Sequence, residues 1–248
     1  EIEDDGIGMK EDDLKLCILP HTTSKLETNI NNLSTLQTYG FRGEALSSIA
    51  AIANITIKTK CKQHEYGLEY NCILNQPQEI KKITKNNGTA ITISDIFSHI
   101  PARKKFLKSR ETEFNAISNT ILNLALINYP IRFSLYHDTR LIFDFSSSTS
   151  FNQRAMQIGY YKNQHNLVEC SFENKHVSLH GLTSDINCSF YDRSHIFVTI
   201  NNRPIRQNKL ISAVLKPYNA EFFTGRYPMS LLALTIPTDE VDINVHPR

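Results

Sequence analysis

Glycine placement constrains this chain more than any other feature of its sequence. Six of the nine glycines, Gly6, Gly8, Gly40, Gly43, Gly67 and Gly88, fall within the first 88 residues. Without a Cβ, glycine lets backbone approach backbone or ligand closely, so this region is where a bound molecule can lie against main chain. Gly40-Phe41-Arg42-Gly43 leads straight into residues 44–53, where Ala45, Leu46, Ile49, Ala50 and Ala53 recur at helical spacing. The expectation is a glycine turn that opens a helix. Upstream, residues 11–19 form a short helix and 20–32 a polar connection. Downstream, 55–60, 67–74 and 89–93 alternate apolar and polar residues as half-buried antiparallel strands do.

Residues 113–128 read as an amphipathic helix, with Asn115, Asn119 and Asn123 on one face and Phe114, Ile117, Ile121, Leu124 and Ala125 on the other. A hairpin follows, 131–136 and 140–145 around His137-Asp138-Thr139. The polar run 146–150 marks the expected boundary between two domains. Beyond it, helices over 152–158 and 207–215 and strands over 168–172, 177–182, 196–200 and 231–236 describe a small α+β unit with a crossover helix at 207–215.

At 248 residues the chain can bury its own core. Lys plus Arg number 27 against 25 Asp plus Glu, a formal +2, so nucleic-acid contact must come from a local basic patch and not from a global field. Cys17, Cys61, Cys72, Cys170 and Cys188 form no CxxC pair, which argues against a disulfide framework or zinc ribbon and for a reducing, intracellular setting. The longest uncharged stretch, 114–131, is broken by four asparagines, so no membrane partner is expected. The chain opens on Glu1-Ile2-Glu3-Asp4-Asp5 without Met and stops on Val245-His246-Pro247-Arg248, and it reads as an excerpt from a longer protein.

Four elements can carry chemistry. No Gly-Lys-Ser/Thr follows a glycine loop, and Asp5-Gly6-Ile7-Gly8 lacks a third glycine at the right step, so neither the P-loop nor the dinucleotide fingerprint is present. What stands instead is Asp4-Asp5-Gly6-Ile7-Gly8-Met9. There a strand-end carboxylate can accept a hydrogen bond from an exocyclic amine such as adenine's, while the glycines let the base lie on backbone. Taken alone, Asp-Gly is also ordinary turn chemistry. Thr22-Thr23-Ser24-Lys25 offers hydroxyls and a cation. Gly40 to Gly43 exposes successive N–H groups at a positive helix end, which suits a polyphosphate. Asn87-Gly88-Thr89 places a hydroxyl at the mouth of a strand.

In this order the four elements resemble the GHKL ATPase superfamily, and their wording resembles the DNA mismatch repair MutL family. The heptapeptide Gly40-Phe41-Arg42-Gly43-Glu44-Ala45-Leu46 looks like that family's signature, preceded by His21-Thr22-Thr23-Ser24-Lys25. The nonapeptide from Ile100 to Lys108, then Asn201-Asn202-Arg203-Pro204 and the heptapeptide from Val241 to Pro247, look like its remaining landmarks. The resemblance covers essentially the whole chain. It implies an α/β and α+β chain: a GHKL (Bergerat) ATPase sandwich over 1–147, then a ribosomal protein S5-like domain over 148–248.

The resemblance also implies roles. Asp4 binds the adenine amine, Gly6 and Gly8 shape the base pocket, and Thr89 supports the same contact through water. Thr23, Ser24 and Lys25 belong to a lid that orders over ATP, and Gly40, Phe41, Arg42 and Gly43 with Leu46 hold the phosphates. Arg203, with Arg206 beside it, resembles an arginine of a DNA-binding surface. The implied partners are DNA through its phosphate backbone, a MutS-type mismatch recognition protein, and a second MutL-type subunit in a homodimer or heterodimer.

The family's water-activating glutamate, its Mg²⁺-binding asparagine and its γ-phosphate lysine have no counterpart among these residues. The chain alone is therefore expected to hydrolyse no ATP. Two other classes fit parts of the pattern: a type II topoisomerase ATPase region, and a non-catalytic scaffold for DNA and repair partners. Elsewhere, Arg103, Lys104, Lys105, Lys108 and Arg110 read as a solvated helix face or a DNA contact, with Phe106 and Leu107 as core anchors. His176 with His180, and Cys61 with His64, offer too few ligands for a metal.

Overall fold

Strand β2 (Asn54–Lys60) buries Ile55, Ile57 and Thr59 on one face and turns Lys58 to solvent, the period of two that its sequence carries. Its partner β3 (Gly67–Ile73) does the same with Leu68, Tyr70 and Cys72. The computed structural model describes residues 1–20, 22, 43–163 and 166–237. Within it the chain divides into two units, Glu1–Lys108 and Ser109–Arg248.

The first unit is an antiparallel sheet. β1 (Ile2–Asp4) pairs with β6 (Gly88–Ser94), β6 with β2, and β2 with β3, while β4 (Gln76–Pro77) and β5 (Lys81–Ile83) both pair with β3. Its core joins Ile55, Ile57, Leu68, Tyr70 and Cys72 to Leu14 and Ile18 at α1 (Glu11–Leu16) and to Ala50 of α2 (Ala45–Ala50). α1 starts on Glu11, Asp12 and Asp13, which favour the positive end of the helix dipole. It stops three residues short of the expected Leu19, and the Thr22 hydroxyl, 2.6 and 2.7 Å from the carbonyls of Leu16 and Leu19, shares its one proton between them at the helix end.

In the second unit α4 (Arg110–Ile127) is capped by Ser109, whose Oγ accepts from the Thr112 N–H at 3.3 Å. Its buried stripe is Leu122, Ala125 and Leu126, and it packs with Phe143 and Phe145 of β8 (Arg140–Phe145) and with Phe151, Ala155 and Ile158 of α5 (Phe151–Asn163). The expected face was different: Ile117 is 52% exposed, since the stripe that meets α5 is rotated away from it. This packing ties α4 and β8 to α5 within the unit that begins at Ser109. β7 (Phe133–His137) pairs with β8 through a turn at Asp138, whose φ of 53° suits an Asp.

The second unit's sheet runs β12-β11-β13-β10-β9, from β9 (Leu167–Glu173) and β10 (Ser178–Ser184) to β11 (Ile196–Ile200), β12 (Arg203–Ile205) and β13 (Ser230–Thr235). Among the described residues only β11 and β13 pair in parallel, and α6 (Asn208–Leu215) lies in the chain between them, as the expected crossover requires. Leu182, Phe197, Leu231 and Ala233 carry the sheet into the same core.

Arg154 of α5 is fully buried there. Its Nη1 donates to Ala125 O at 2.8 Å, and its Nη2 to Tyr129 O, Ile131 O and Ser146 O at 2.9, 2.6 and 3.0 Å. No carboxylate pairs with it among the described residues; the carbonyls around the C-terminal end of α4 take that place, where the helix dipole is negative. Burial lowers the guanidinium pKa from its ordinary value. Even so, arginine stays protonated in proteins.

Candidate functional site

β1 ends where β6 begins, with Asp4 directly opposite Thr89. Asp4 Oδ1 accepts from the Gly6 N–H at 2.9 Å and from the Thr89 N–H at 3.3 Å, so one oxygen is spent closing the turn. Oδ2 accepts no hydrogen bond among the described residues, and the side chain is open to solvent. A carboxylate with one oxygen fixed and one free is an oriented acceptor.

Around it the backbone is crowded where glycine stands. A Cβ on Gly6 would lie 2.8 Å from Asp4 Oδ1. Gly8 has φ +73°, and a Cβ there would run into the Lys60 carbonyl; Gly88 has φ +112°, and a Cβ there would overlap the Asp4 carbonyl. Only glycine satisfies both the left-handed φ and the contact at these two positions.

Beneath the site lies Thr59, fully buried and absent from the sequence-based expectations. Its Oγ1 accepts from the Met9 N–H at 2.8 Å, lies 3.1 Å from Thr89 Oγ1 and reaches Gly88 O at 3.3 Å. The proton arrangement follows from counting. If Thr59 donates to Thr89, the Thr89 hydroxyl keeps its own proton for a ligand; if Thr59 donates to Gly88, Thr89 donates back to Thr59. Thr59 thereby sets how Thr89 is presented. A signal existed in the sequence, since a hydroxyl occupies the third position of the buried series Ile55, Ile57, Thr59.

The structure thus gathers Asp4, Gly6, Gly8 and Thr89, and adds Thr59, Met9 and Gly88. Gly43 has φ +63° just ahead of α2, and a Cβ on it would strike the Thr22 backbone. Leu46 packs against the same core cluster as Met9. Thr23, Ser24, Lys25, Gly40, Phe41 and Arg42 lie outside the described residues, as does the segment from Val241 to Pro247.

In the second unit, the side chains of Arg203 and Arg206 make no ion pair or hydrogen bond among the described residues. Arg203 begins β12 directly after a turn in which Asn201 and Asn202 have φ of 47° and 61°. The turn is anchored by the Asn201 side chain, which donates to Ile236 O at 2.8 Å and accepts from the Ile236 N–H at 2.9 Å. The segment after α3 (Pro101–Lys104) corrects an expectation: Phe106 is 84% exposed and Leu107 is 39% exposed, so neither is a core anchor. A four-residue helix that runs out into an isolated turn gives them nothing to pack against. Among the described residues no group of three His, Cys, Asp or Glu side chains could hold a metal, and no helix is long and apolar enough to cross a membrane.

Comparison with known proteins adds the following. The family described as "DNA mismatch repair protein, C-terminal domain" matches residues 156–248. The chain is 34% identical over all 248 residues to the DNA mismatch repair protein MutL of Petrotoga mobilis, covering 40% of that protein. It is 33% identical over 244 residues to MutL of Limosilactobacillus reuteri, matching 98% of the chain and 36% of the relative. The chain therefore spans about two fifths of the length of these curated relatives.

Among solved structures, the N-terminal domain of a DNA repair protein aligns with a TM-score of 0.78 at 23% identity, covering 99% of this chain and 76% of the other. The Aquifex aeolicus MutL ATPase domain, solved in complex with ADP, aligns with a TM-score of 0.70 at 20% identity, covering 99% and 85%. The fold of the chain is that of MutL ATPase domains, as expected from its motifs.

Proposed function

We propose that the chain, 34% and 33% identical to MutL proteins along all or nearly all of its length, belongs to the MutL family of DNA mismatch repair proteins and carries the nucleotide-binding part of an ATP-driven mismatch repair switch. The observation that carries the reading is Asp4: an oriented carboxylate with Oδ2 open, beside glycines whose backbone a planar base can approach. Asp4 Oδ2 accepts from the exocyclic amine of adenine, and the Thr89 hydroxyl, positioned by Thr59, holds a bridging water. Gly6, Gly8 and Gly88 keep the pocket free of side chains.

The phosphates lie on Gly40, Phe41, Arg42 and Gly43 ahead of α2, with Thr23, Ser24 and Lys25 in the closing lid and Leu46 fixing the helix from below. Functionally, residues 1–147 form the ATPase domain and 148–248 the S5-like domain. Mg²⁺ would enter with the polyphosphate and neutralise its charge, since among the described residues no group of three His, Cys, Asp or Glu side chains could hold it alone. In the whole protein, ATP binding orders the lid and drives association with a second MutL-type subunit. Arg203 and Arg206, whose side chains make no ion pair among the described residues, contact DNA phosphates without reading sequence. The partner upstream in repair is a MutS-type recognition protein.

The test is a calorimetric titration of ATP into the protein and its Asp4→Asn variant, which replaces an acceptor oxygen by a donor. Losing a hydrogen bond to a charged group predicts a fall in affinity of at least about tenfold. Unchanged affinity would remove Asp4 from the site. Full-length protein whose dimerisation ignores ATP would favour the scaffold reading instead.

A further inference from the structure

Thr22-Thr23-Ser24-Lys25 places four polar side chains in a row. The first of them turns back on its own chain. Thr22 Oγ1 lies 2.6 Å from Leu16 O and 2.7 Å from Leu19 O, and its single proton is shared between the two carbonyls. Leu16 is the last residue of α1, where carbonyls find no partner within the helix, and Leu19 lies in the turn beyond it. That end of the helix is fixed from below, since Leu14 is fully buried and Ile18 nearly so in the core of the first unit. The Thr22 side chain therefore ties its own backbone to an element anchored in the core.

Gly43 rests on that backbone. The three atoms nearest to a Cβ on Gly43 all belong to the Thr22 main chain: its carbonyl oxygen, its carbonyl carbon and its nitrogen, the last at 2.8 Å. Gly43 thus lies against the Thr22 peptide at φ +63°, a contact and a conformation that only glycine satisfies together. Two residues later α2 begins, and Leu46, Ile49 and Ala50 fix it in the same core cluster. Support runs from the core through α1 to the Thr22 hydroxyl, and from the Thr22 peptide through Gly43 into α2. Removing the hydroxyl frees the middle of this line and leaves both ends in place.

We propose that Thr22 is a positioning residue for the polyphosphate: it does not touch the nucleotide, and it sets where Gly43 holds the glycine turn. The inference rests on the ATP-binding reading above and divides the labour within it. Asp4 and Thr89 are held by strand register and by Thr59, a separate set of supports. Base recognition is therefore insensitive to Thr22, while phosphate recognition depends on it. Hydrogen bonds from backbone N–H groups to phosphate oxygens weaken steeply with misalignment. A turn that has lost its post binds phosphate less well even when every residue of the turn is present.

Paired titrations of the protein test this, with ATP followed by calorimetry and adenosine, which has the base and no phosphate, followed by NMR. Thr22→Val keeps the shape and removes the hydroxyl. It should lower ATP affinity about threefold to tenfold, the range of one neutral hydrogen bond, and leave adenosine affinity within about twofold. Thr22→Ser keeps the hydroxyl and should restore the parent affinity for ATP. In a Gly43→Ala background, where the added methyl already parts the two backbones, Thr22→Val should have almost no further effect on ATP binding. Unchanged ATP affinity in Thr22→Val, a parallel fall for adenosine, no rescue by serine, or full additivity with Gly43→Ala would each overturn the inference and leave the reading of the Asp4 site standing. Asp4→Asn that altered neither ATP nor adenosine binding would overturn that reading, and this inference with it.

Discussion

In the second unit the buried guanidinium of Arg154 donates four hydrogen bonds to main-chain carbonyls, whereas in the first the buried hydroxyls of Thr59 and Thr89 underlie a carboxylate that leaves one oxygen open. Around Arg154 only Nε lacks a partner, and it is shut away from solvent. At Asp4 the open atom faces water. Both clusters are local exceptions to apolar packing, yet they answer different demands. A polar group whose capacity is consumed inside the fold holds elements together; one whose support is consumed inside while its tip stays open is prepared for a ligand.

The sharpest way to break this contrast is Arg154→Met. It keeps much of the volume and removes every donor, stranding carbonyls at the end of α4. A loss of about 3–5 kcal/mol in urea unfolding is expected, with Arg154→Lys recovering only part because an ammonium cannot reproduce the fork. A Met variant as stable as the parent would mean that the carbonyls find water and that the guanidinium is no clamp. Asp4→Asn makes the reverse case: it should alter nucleotide affinity and leave the melting temperature nearly unmoved.

Thr59→Val is intermediate and tests both halves at once. It removes the acceptor of the Met9 N–H and the partner of Thr89 without changing shape, so a stability loss of about 1–2 kcal/mol should accompany weaker nucleotide binding. If stability falls and affinity does not, Thr59 belongs with Arg154 as scaffold. The smallest effect lies at the surface of the second unit. Hydrogen bonds from Arg132 and Ser134 hold the Asp144 pKa down at about 2. A depressed carboxylate contributes stability above its unfolded pKa and loses it as pH falls through the folded value. NMR should therefore show Asp144 titrating near 2, with the hairpin weakening only in that acid range.

The strands that alternate cleanly were legible in the sequence, because a period of two reports directly which face is buried: β2, β3, β6 and β11 lie where expected, to within a residue or two. Helix α4 was legible as a helix and misjudged in its facing. It is apolar on more than one side, and only α5 and β8 decide which stripe is buried. The short strands β4, β5 and β12 are too brief to carry a period. At the site, Asp4 and the glycines could be read from motif order, but Thr59 lies far along the chain from Asp4 and meets it only through strand register. Arg154 gave no signal at all. Nothing local distinguishes an arginine that will be buried from one that will not, since its partners are carbonyls that every residue possesses.

Strand β1 has a consequence beyond placing Asp4. It is three residues long, exposed along its length, and secured by its ladder to β6 with side-chain bonds from Lys85 to Glu3 and from Thr92 to Glu1. Asp4 keeps its place opposite Thr89 through that ladder, so opening of β1 would carry the carboxylate out of the site. A ligand that requires Asp4 in register binds only the closed form, so occupancy is linked to closure by mass action. Slowed exchange of the β1 and β6 amides on adding nucleotide would then report binding in the currency of local folding.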